Sequence, residues 1–277
     1  MPEGDTLYRI ASRLRPALEG RTIVAALSHE FPNLAAIDAQ SLVGHVIERV
    51  EAHGKHLLLT FDDQRVVHSH LGMNGSWHLY PIGEPWRKPA RLAGVALRTE
   101  SHEAVNFNPK LLQLTTTERL RRDSYLRRLG PDMMLLESEL EEVIRRMAGH
   151  QQVPIGEVVM NQTIACGIGN IYKSETLFLS RINPWTTVGE LTRSELHRYL
   201  SDARELMRLN RHNGQRTTRF SVDGQRMWVY GRAGAPCFLC GTRIAIRRQG
   251  DAGRTTYWCA TCQPRQRNVQ DPSSLTP

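Results

Sequence analysis

The sequence predicts an α+β protein of more than one domain, with an N-terminal helix and β-sandwich, a helical region and a C-terminal β-hairpin. Three observations lead to this fold class. Apolar residues recur at helical spacing near the N-terminus, short apolar runs separated by turn signals fill residues 21–115, and longer helical patterns fill 130–210. The length of 277 residues suits roughly two domains with hydrophobic cores of their own.

The N-terminal helix is predicted over residues 5–18, because apolar side chains recur there at positions 7, 10, 14 and 18. Asp5 or Thr6 is the expected N-cap. Pro2 and Glu3 would then lie just before a helix N-terminus, whose dipole disfavours a protonated amine.

Strands are predicted at 41–51, 56–61, 65–70, 76–80 and 93–98, which together form the β-sandwich of a domain covering residues 1–125. The Gly-rich stretch 72–75 is expected at the tip of a hairpin, with Met73 and Asn74 exposed there. A Met73 side chain folded back onto the sheet is the alternative.

Helices are predicted at 137–148, 155–161, 170–179 and 192–209, within a second domain covering residues 126–214. The stretch Gly167-Ile168-Gly169-Asn170 is a turn between two of these helices. Its amides, at the start of the following helix, could bind a phosphate, although the motif is short.

Cysteine spacing predicts a metal site in a third unit, residues 215–264. Two Cys-x-x-Cys pairs, Cys237 with Cys240 and Cys259 with Cys262, are separated by eighteen residues, which fits one structural zinc ion and no other cofactor. Two disulfides are the alternative, disfavoured without a secretion signal. A β-hairpin between the pairs would place Arg254 near its tip. Cys166 is expected to be a small packed residue.

The charge of the chain indicates a polyanionic partner. The net charge is +8, and residues 211–268 alone carry eleven arginines, no lysine and two acids. Arginine dominance suits bidentate contacts to phosphate, and a GC-rich genome explains it equally well. No long apolar run or signal pattern is present, so a soluble, cytoplasmic protein is expected, with residues 265–277 as a disordered tail.

Pro2 is a candidate nucleophile if Met1 is removed, a step that a small second residue normally permits. An N-terminal proline is a secondary amine that can form an iminium ion with an aldehyde. Glu3 could then act as an acid beside it. An ordinary helix lead-in is the alternative. Lys55, at the start of an apolar strand, is either rigidly placed or simply solvated.

The motifs together resemble the formamidopyrimidine-DNA glycosylase and endonuclease VIII family of base-excision repair enzymes. They run in order along the chain: Met-Pro-Glu-Gly-Asp-Thr, Gly-Lys-His-Leu, His-Leu-Gly-Met-Asn-Gly-Ser-Trp, Leu-Gly-Pro-Asp, Gly-Ile-Gly-Asn-Ile-Tyr, Tyr-Gly-Arg-Ala-Gly and the second cysteine pair. The opening Pro-Glu-Gly-Asp is more similar to the endonuclease VIII branch.

The resemblance implies a role for each matching residue. Pro2 would attack the sugar carbon that bears the damaged base, and Glu3 would be the proton donor. Lys55 would bind phosphate and assist β-elimination, and Arg254 would assist δ-elimination. The remaining DNA contacts would come from Met73 and Asn74, which hold the base stack open, from Asn170 in a helix-two-turn-helix domain, and from Arg128.

The sequence therefore predicts a bifunctional DNA glycosylase and abasic-site lyase that excises oxidised bases from damaged double-stranded DNA, with oxidised pyrimidines as the expected substrates. A bacterial, cytoplasmic monomer without membrane contact is expected. Two alternatives remain: a catalytically silent zinc-finger protein that binds damaged DNA, and a zinc-ribbon protein that binds RNA. The stretch 105–112 does not clearly show the arginine and phenylalanine with which the formamidopyrimidine branch fills the gap in the DNA, and Phe107 is expected to serve in part.

Overall fold

The computed structural model describes residues 2–31, 34, 36–135, 139–212 and 214–265, which fall into two compact units. Unit 1 comprises residues 1–134 with 211–213, and unit 2 comprises 135–210 with 214–277. Met1 and tail residues 266–277 lie outside the described residues. The observed elements confirm the α+β class, and the domain boundaries at 125 and 214 stay predictions.

Unit 1 is a helix packed on a two-sheet β-sandwich. Helix α1 is Gly4–Leu18, and two short helices, α2 (Thr117–Arg122) and α3 (Ser124–Arg127), follow the last strand. The strands among the described residues are β1 Arg21–Thr22, β2 Ala25–Ser28, β3 Val46–His53, β4 His56–Phe61, β5 Arg65–His70, β6 Ser76–Pro81, β7 Ala93–Arg98, β8 His102–Phe107 and β9 Leu111–Thr116.

The two sheets are antiparallel, with strand orders β1-β3-β4-β5-β9 and β2-β7-β8-β6. The sequence analysis missed β1, β2, β8 and β9. Strand β8 does not show the alternation of exposed polar and buried apolar residues that predicts a strand. Its polar residues Glu103 and Asn106 are both buried. Glu103 accepts a hydrogen bond from Trp86 Nε1 at 2.6 Å and forms an ion pair with Arg98, which satisfies its buried carboxylate.

Helix α1 is held by its apolar stripe. Leu7, Leu14 and Leu18 are at most 1% exposed and pack into the main core with residues of both sheets. Each such side chain contributes about 1.5–3 kcal/mol through burial. The helix begins at Gly4 with Glu3 as its N-cap, so the predicted N-cap at Asp5 or Thr6 was wrong by two or three residues. Asp5 is itself buried at this end of the helix.

Unit 2 combines helices with a β-hairpin. Its helices are α4 Leu140–Met147, α5 Ile155–Val158, α6 Asn170–Leu179 and α7 Arg193–Leu209, and its hairpin strands are β10 Ala245–Gln249 and β11 Arg254–Trp258. A capping box between Thr192 and Glu195 fixes the start of α7. Residues 136–138, which include the start of the helix predicted at 137–148, lie outside the described part of the chain.

A buried carboxylate joins α6 to the segment before the hairpin. Glu175 is fully buried, and it accepts backbone N–H groups from Trp228, Val229 and Tyr230 at 2.7–2.8 Å. The hydroxyl of Thr218 donates to the same carboxylate. Burial raises the pKa of Glu175, and the four donors oppose that rise by stabilising the charged form. The helix and the segment 228–230 are therefore fixed to one another.

No helix in the described ranges combines the length and apolar character required to cross a bilayer.

Candidate active site and nucleic-acid interface

The N-terminal site lies at the start of a rigid helix. The carbonyl of Glu3 accepts the N–H groups of Thr6 at 2.9 Å and Leu7 at 3.2 Å, and the Glu3 residue is fully buried. Pro2 is half-buried immediately before it. Because Leu7 anchors this first turn in the core, the backbone that carries Pro2 starts from a fixed point.

Lys55 lies in the two-residue turn between β3 and β4. His53 and His56 are the last paired residues of the two strands, so Gly54 and Lys55 are the two central residues of the turn. Gly54 has φ 56°, the left-handed conformation that a glycine adopts at the first central position of a type II′ turn. The N–H of Gly54 donates to the carboxylate of Asp132 at 2.6 Å. Lys55 is half-buried on this turn.

Three histidines cluster on the strands next to this turn. His56 Nδ1 lies 2.8 Å from His68 Nε2, and the ring of His70 lies 4.9 Å from that of His56. The amide of Gln113 contacts His68 Nδ1 at 2.8 Å. With Gln113 donating to Nδ1, His68 carries its proton on Nε2 and donates it to His56.

Burial is the first cause that lowers the pKa of each clustered histidine, to about 3 for His56 and about 4 for His68 and His70. The three rings are therefore neutral at pH 7. The sequence analysis did not identify this cluster. Only the strand register, which places His56 opposite His70, brings the rings together.

Met73 and Asn74 lie on the link between the two sheets, and the prediction of a hairpin tip was wrong. Strand β5 pairs with β4 and β9, whereas β6 pairs with β8, so residues 71–75 cross from one sheet to the other. The Met73 side chain is 67% exposed, which excludes the alternative of a methionine folded onto the sheet. Gly72 has φ 64° in this link.

Phe107 does not lie beside Met73 as a gap-filling residue would. It is fully buried, and it packs edge to face against Trp86 and His78. The expectation that Phe107 fills the gap in the opposite DNA strand was therefore wrong. The surface hollow that Met73 lines is also lined by Phe31 and by the turn after β8, residues 108–110.

Arg128 is exposed at the C-terminal end of α3. Its Nε donates to the carbonyl of Ser124 at 2.8 Å, and Asp123 caps the same short helix by accepting two backbone N–H groups. Arg128 thus lies on a defined surface helix, with its position set by local hydrogen bonds.

In unit 2, Asn170 and Arg254 are brought close together. Asn170 is the first residue of α6, and its Nδ2 donates to the carbonyl of Thr255 at 2.6 Å. Arg254 is the first residue of β11, is exposed, and pairs with Gln249 across the hairpin. This confirms that Arg254 lies beside the hairpin turn, and it places the α6 N-terminus next to it.

A buried polar chain holds this hairpin. Lys173 is 1% exposed, and its Nζ donates to Thr256 Oγ1 at 2.7 Å. The Thr256 hydroxyl donates in turn to Gln249 Oε1 at 3.0 Å, and Gln249 Nε2 donates to the carbonyl of Pro184 at 2.8 Å. Sequence reasoning missed Lys173, because α6 also carries Ser174 and Glu175 and its sequence does not show that these polar residues are buried.

The four cysteines of the two pairs converge on one point. One ligand atom from each lies within 4.8 Å of the others. The Sγ atoms of Cys237 and Cys262 are 3.9 Å apart, and those of Cys240 and Cys259 are 3.4 Å apart. Four thiolates bound at about 2.3 Å to a tetrahedral zinc ion lie about 3.8 Å from one another, so this cluster fits zinc.

All five cysteines are free, which contradicts the disulfide alternative, and Cys166 is buried as expected.

Comparisons with known proteins identify the family. Residues 1–110 match the family model of the formamidopyrimidine-DNA glycosylase N-terminal domain, and residues 129–222 match that of the formamidopyrimidine-DNA glycosylase H2TH domain. The probable endonuclease 8 2 of Streptomyces coelicolor is 38% identical over 267 residues, covering 95% of this chain and 94% of that protein. The DNA-(apurinic or apyrimidinic site) lyase Nei2 of Mycolicibacterium smegmatis is 34% identical, covering 95% of this chain and 99% of that protein.

A solved structure shares the fold. Formamidopyrimidine-DNA glycosylase of Lactococcus lactis, crystallised with DNA containing an AP site, superimposes with a TM-score of 0.79 at 21% identity, covering 95% of this chain and 99% of that one. The fold and the family models together define a DNA glycosylase and lyase class of repair enzyme. The chain belongs to the formamidopyrimidine-DNA glycosylase family, and its similarity to proteins named endonuclease 8 places it in the endonuclease VIII-like branch.

Proposed function

We propose that this protein excises oxidised bases, with oxidised pyrimidines as the expected substrates, from damaged double-stranded DNA and then cleaves the strand at the resulting abasic site. The observation that carries the proposal is the half-buried Pro2 directly before a buried Glu3 at the start of a core-anchored helix. Family membership and the similarity to a protein named DNA-(apurinic or apyrimidinic site) lyase support the same activity.

In the first step, Pro2 would act as the nucleophile once Met1 has been removed. The secondary amine attacks C1′ of the sugar, the bond to the base breaks, and the sugar ring opens. The departing base and the ring oxygen each take up one proton, of which Glu3 supplies one and the N–H group of Pro2 supplies the other. The product is an iminium ion between Pro2 and C1′. A terminal amine has an ordinary pKa near 8, so a useful fraction is neutral at pH 7.

In the second step, the iminium ion acidifies the C2′ proton. Loss of that proton expels the 3′ phosphate by β-elimination, and a second elimination expels the 5′ phosphate. Water then hydrolyses the iminium ion and frees Pro2. Lys55 on its glycine turn, and Arg254 with Asn170 beside the hairpin, would bind the phosphates that leave.

Met73 and Asn74 would occupy the space of the displaced base. A duplex loses a few kcal/mol when a base leaves the stack, and an apolar side chain inserted in its place offsets part of that cost. The 67% exposure of Met73 supports this role. Arg128 would add a backbone contact from its surface helix.

One zinc ion, held by Cys237, Cys240, Cys259 and Cys262, would be the structural cofactor. It supplies no chemistry to the reaction in this proposal, since four thiolates leave no open coordination position. Its effect is to fix the two ends of the hairpin that carries Arg254. We further propose that the protein acts as a monomer in the bacterial cytoplasm.

Borohydride trapping on a duplex with one abasic site tests the nucleophile. The wild-type protein is expected to give a covalent adduct, and Pro2→Gly is expected to lose most of it while still binding the duplex. Arg13→Gln, a change at an exposed position of the same helix, serves as the control. If wild type gives no adduct, or if Pro2→Gly traps equally well, the mechanism is wrong. DNA binding without any adduct would favour a catalytically silent binding protein, and mass spectrometry of the N-terminus separates that case from retained Met1.

A further inference from the structure

The Leu-Gly-Pro-Asp motif ends in a residue with no role in the proposed chemistry. Asp132 is 4% exposed, and each of its two carboxylate oxygens accepts a backbone N–H. Oδ2 accepts from Gly54 at 2.6 Å, and Oδ1 accepts from Met134 at 2.9 Å. His53 Nδ1 lies 3.9 Å from Oδ2. One carboxylate thus joins two segments that are 78 residues apart in the chain.

The contact falls on the turn that carries Lys55. In a two-residue hairpin turn, the N–H of the first central residue points away from the strand ladder, so it needs another partner when it is buried. Gly54 is buried, and Asp132 is that partner. A hydrogen bond from an N–H to a carboxylate is about twice as strong as one between neutral groups.

We infer that Asp132 is a positioning residue for Lys55, acting through the Gly54 N–H to fix the turn from which the lysine reaches phosphate. This inference rests on the proposed function of Lys55. Gly54 must keep its left-handed backbone conformation while the Lys55 side chain binds an anion. A turn that is attached only to its own two strands can shift relative to the sheet. Asp132 adds a third, charged attachment from a different segment of unit 1.

The substitution Asp132→Asn keeps the shape but leaves only one acceptor oxygen for two backbone donors. It should slow single-turnover cleavage of a preformed abasic site about tenfold, since a small displacement of a catalytic cation costs one to two orders of magnitude in rate. Asp38→Asn is the matched control, because Asp38 also accepts a backbone N–H, from Ser41 at 3.2 Å, but is exposed. That control should cleave at the wild-type rate.

A double-mutant cycle with Lys55→Ala separates positioning from general damage. The expected result is that Asp132→Asn slows wild type but has no further effect once Lys55 is replaced. An equal slowing in both backgrounds overturns the inference, as does an unchanged rate in the single variant. The melting temperature of each variant is measured in parallel, and Asp132→Glu replaces Asp132→Asn if the latter does not fold.

The same cycle is run on DNA affinity with a non-cleavable abasic-site duplex, across a range of salt concentrations. Loss of one phosphate contact lowers the slope of log affinity against log salt by about one. Asp132→Asn should lower the slope only when Lys55 is present. This measurement needs no catalysis, so it tests the coupling between Asp132 and Lys55 even in a protein that does not cleave DNA. A wild-type protein that binds the duplex but does not cleave a preformed abasic site refutes the proposed function. Equal slopes in wild type and Asp132→Asn refute the coupling.

Discussion

The carboxylate of Glu175 accepts the backbone N–H of Trp228 at 2.7 Å, across 53 residues of sequence. It is the first of three consecutive backbone donors that the same side chain binds. A segment without regular secondary structure is thereby held in place by one helix residue. The cysteine hairpin that follows begins from this fixed segment.

Glu175→Gln should destabilise unit 2 by about 2–4 kcal/mol, because a single amide oxygen replaces two carboxylate oxygens and leaves buried N–H donors unsatisfied. The measurement is the free energy of unfolding in urea, followed by tryptophan fluorescence. Glu205→Gln, on the exposed face of α7, is the matched control and should change stability by less than about 0.5 kcal/mol. Equal effects of the two substitutions would contradict the role given to Glu175.

Gly75→Ala should displace the link that carries Met73. An added Cβ would lie 2.3 Å from the carbonyl oxygen of Leu71 and 2.9 Å from that of Asn108, and both are backbone atoms that cannot rotate away. We expect a loss of about 1–3 kcal/mol in stability and a weaker incision of lesion-containing duplex. Gly149→Ala, where an added Cβ meets nothing within 4 Å, is the control. An active and fully stable Gly75→Ala would show that the link tolerates the shift.

The histidine cluster should make unit 1 sensitive to acid. The pKa values of His56, His68 and His70 are lowered to about 3, 4 and 4, so between about pH 4 and 6.5 the unfolded chain binds protons that the folded chain does not. Stability therefore rises with pH through this window, by up to about 1.4 kcal/mol per pH unit for each histidine. The titratable groups that face the cluster from neighbouring positions are His53, Lys55, Lys110 and Asp123.

The check is the free energy of unfolding in urea at pH 7 and pH 5, for wild type and for His68→Gln. The variant should lose less stability between the two pH values than wild type does. His29→Gln removes an exposed histidine and should keep the wild-type difference. A wild-type difference that persists in His68→Gln would mean that the cluster does not control the acid response.

Zinc should be present at one ion per chain and should be lost when a cysteine of the cluster is replaced. Cys262→Ala is expected to abolish metal binding, whereas Cys166→Ala, outside the cluster, should retain it. Because thiolates are the ligands, zinc should also dissociate as the pH falls. Elemental analysis of dialysed protein measures the metal content, and gel-shift titration measures DNA affinity, which should fall with the zinc. Full zinc content in Cys262→Ala would refute the site.

Much of this architecture could be predicted because local patterns fix it. The apolar stripe of α1, the cysteine spacing and the cap of α7 each lie within a short stretch of sequence. What could not be predicted depends on pairings between distant segments. Nothing local in β5 and β6 shows that they belong to different sheets, and nothing local in Asp132 shows that it binds Gly54. Strand β8 was also missed because it carries a buried carboxylate. The hydrogen bond that Glu103 accepts comes from Trp86, which lies outside the strand.

The order in which the chain is synthesised matters for the N-terminal helix. Helix α1 packs on a core that includes Leu112 of β9, so its final position requires the chain through about residue 116. At about 5–20 residues per second, this stretch takes about 5–25 seconds to synthesise. The proposed nucleophile depends on the removal of Met1. An aminopeptidase can therefore remove Met1 during the interval in which the first residues are still unfolded. Afterwards Glu3 and Gly4 are buried, and an aminopeptidase would have to work against a folded helix.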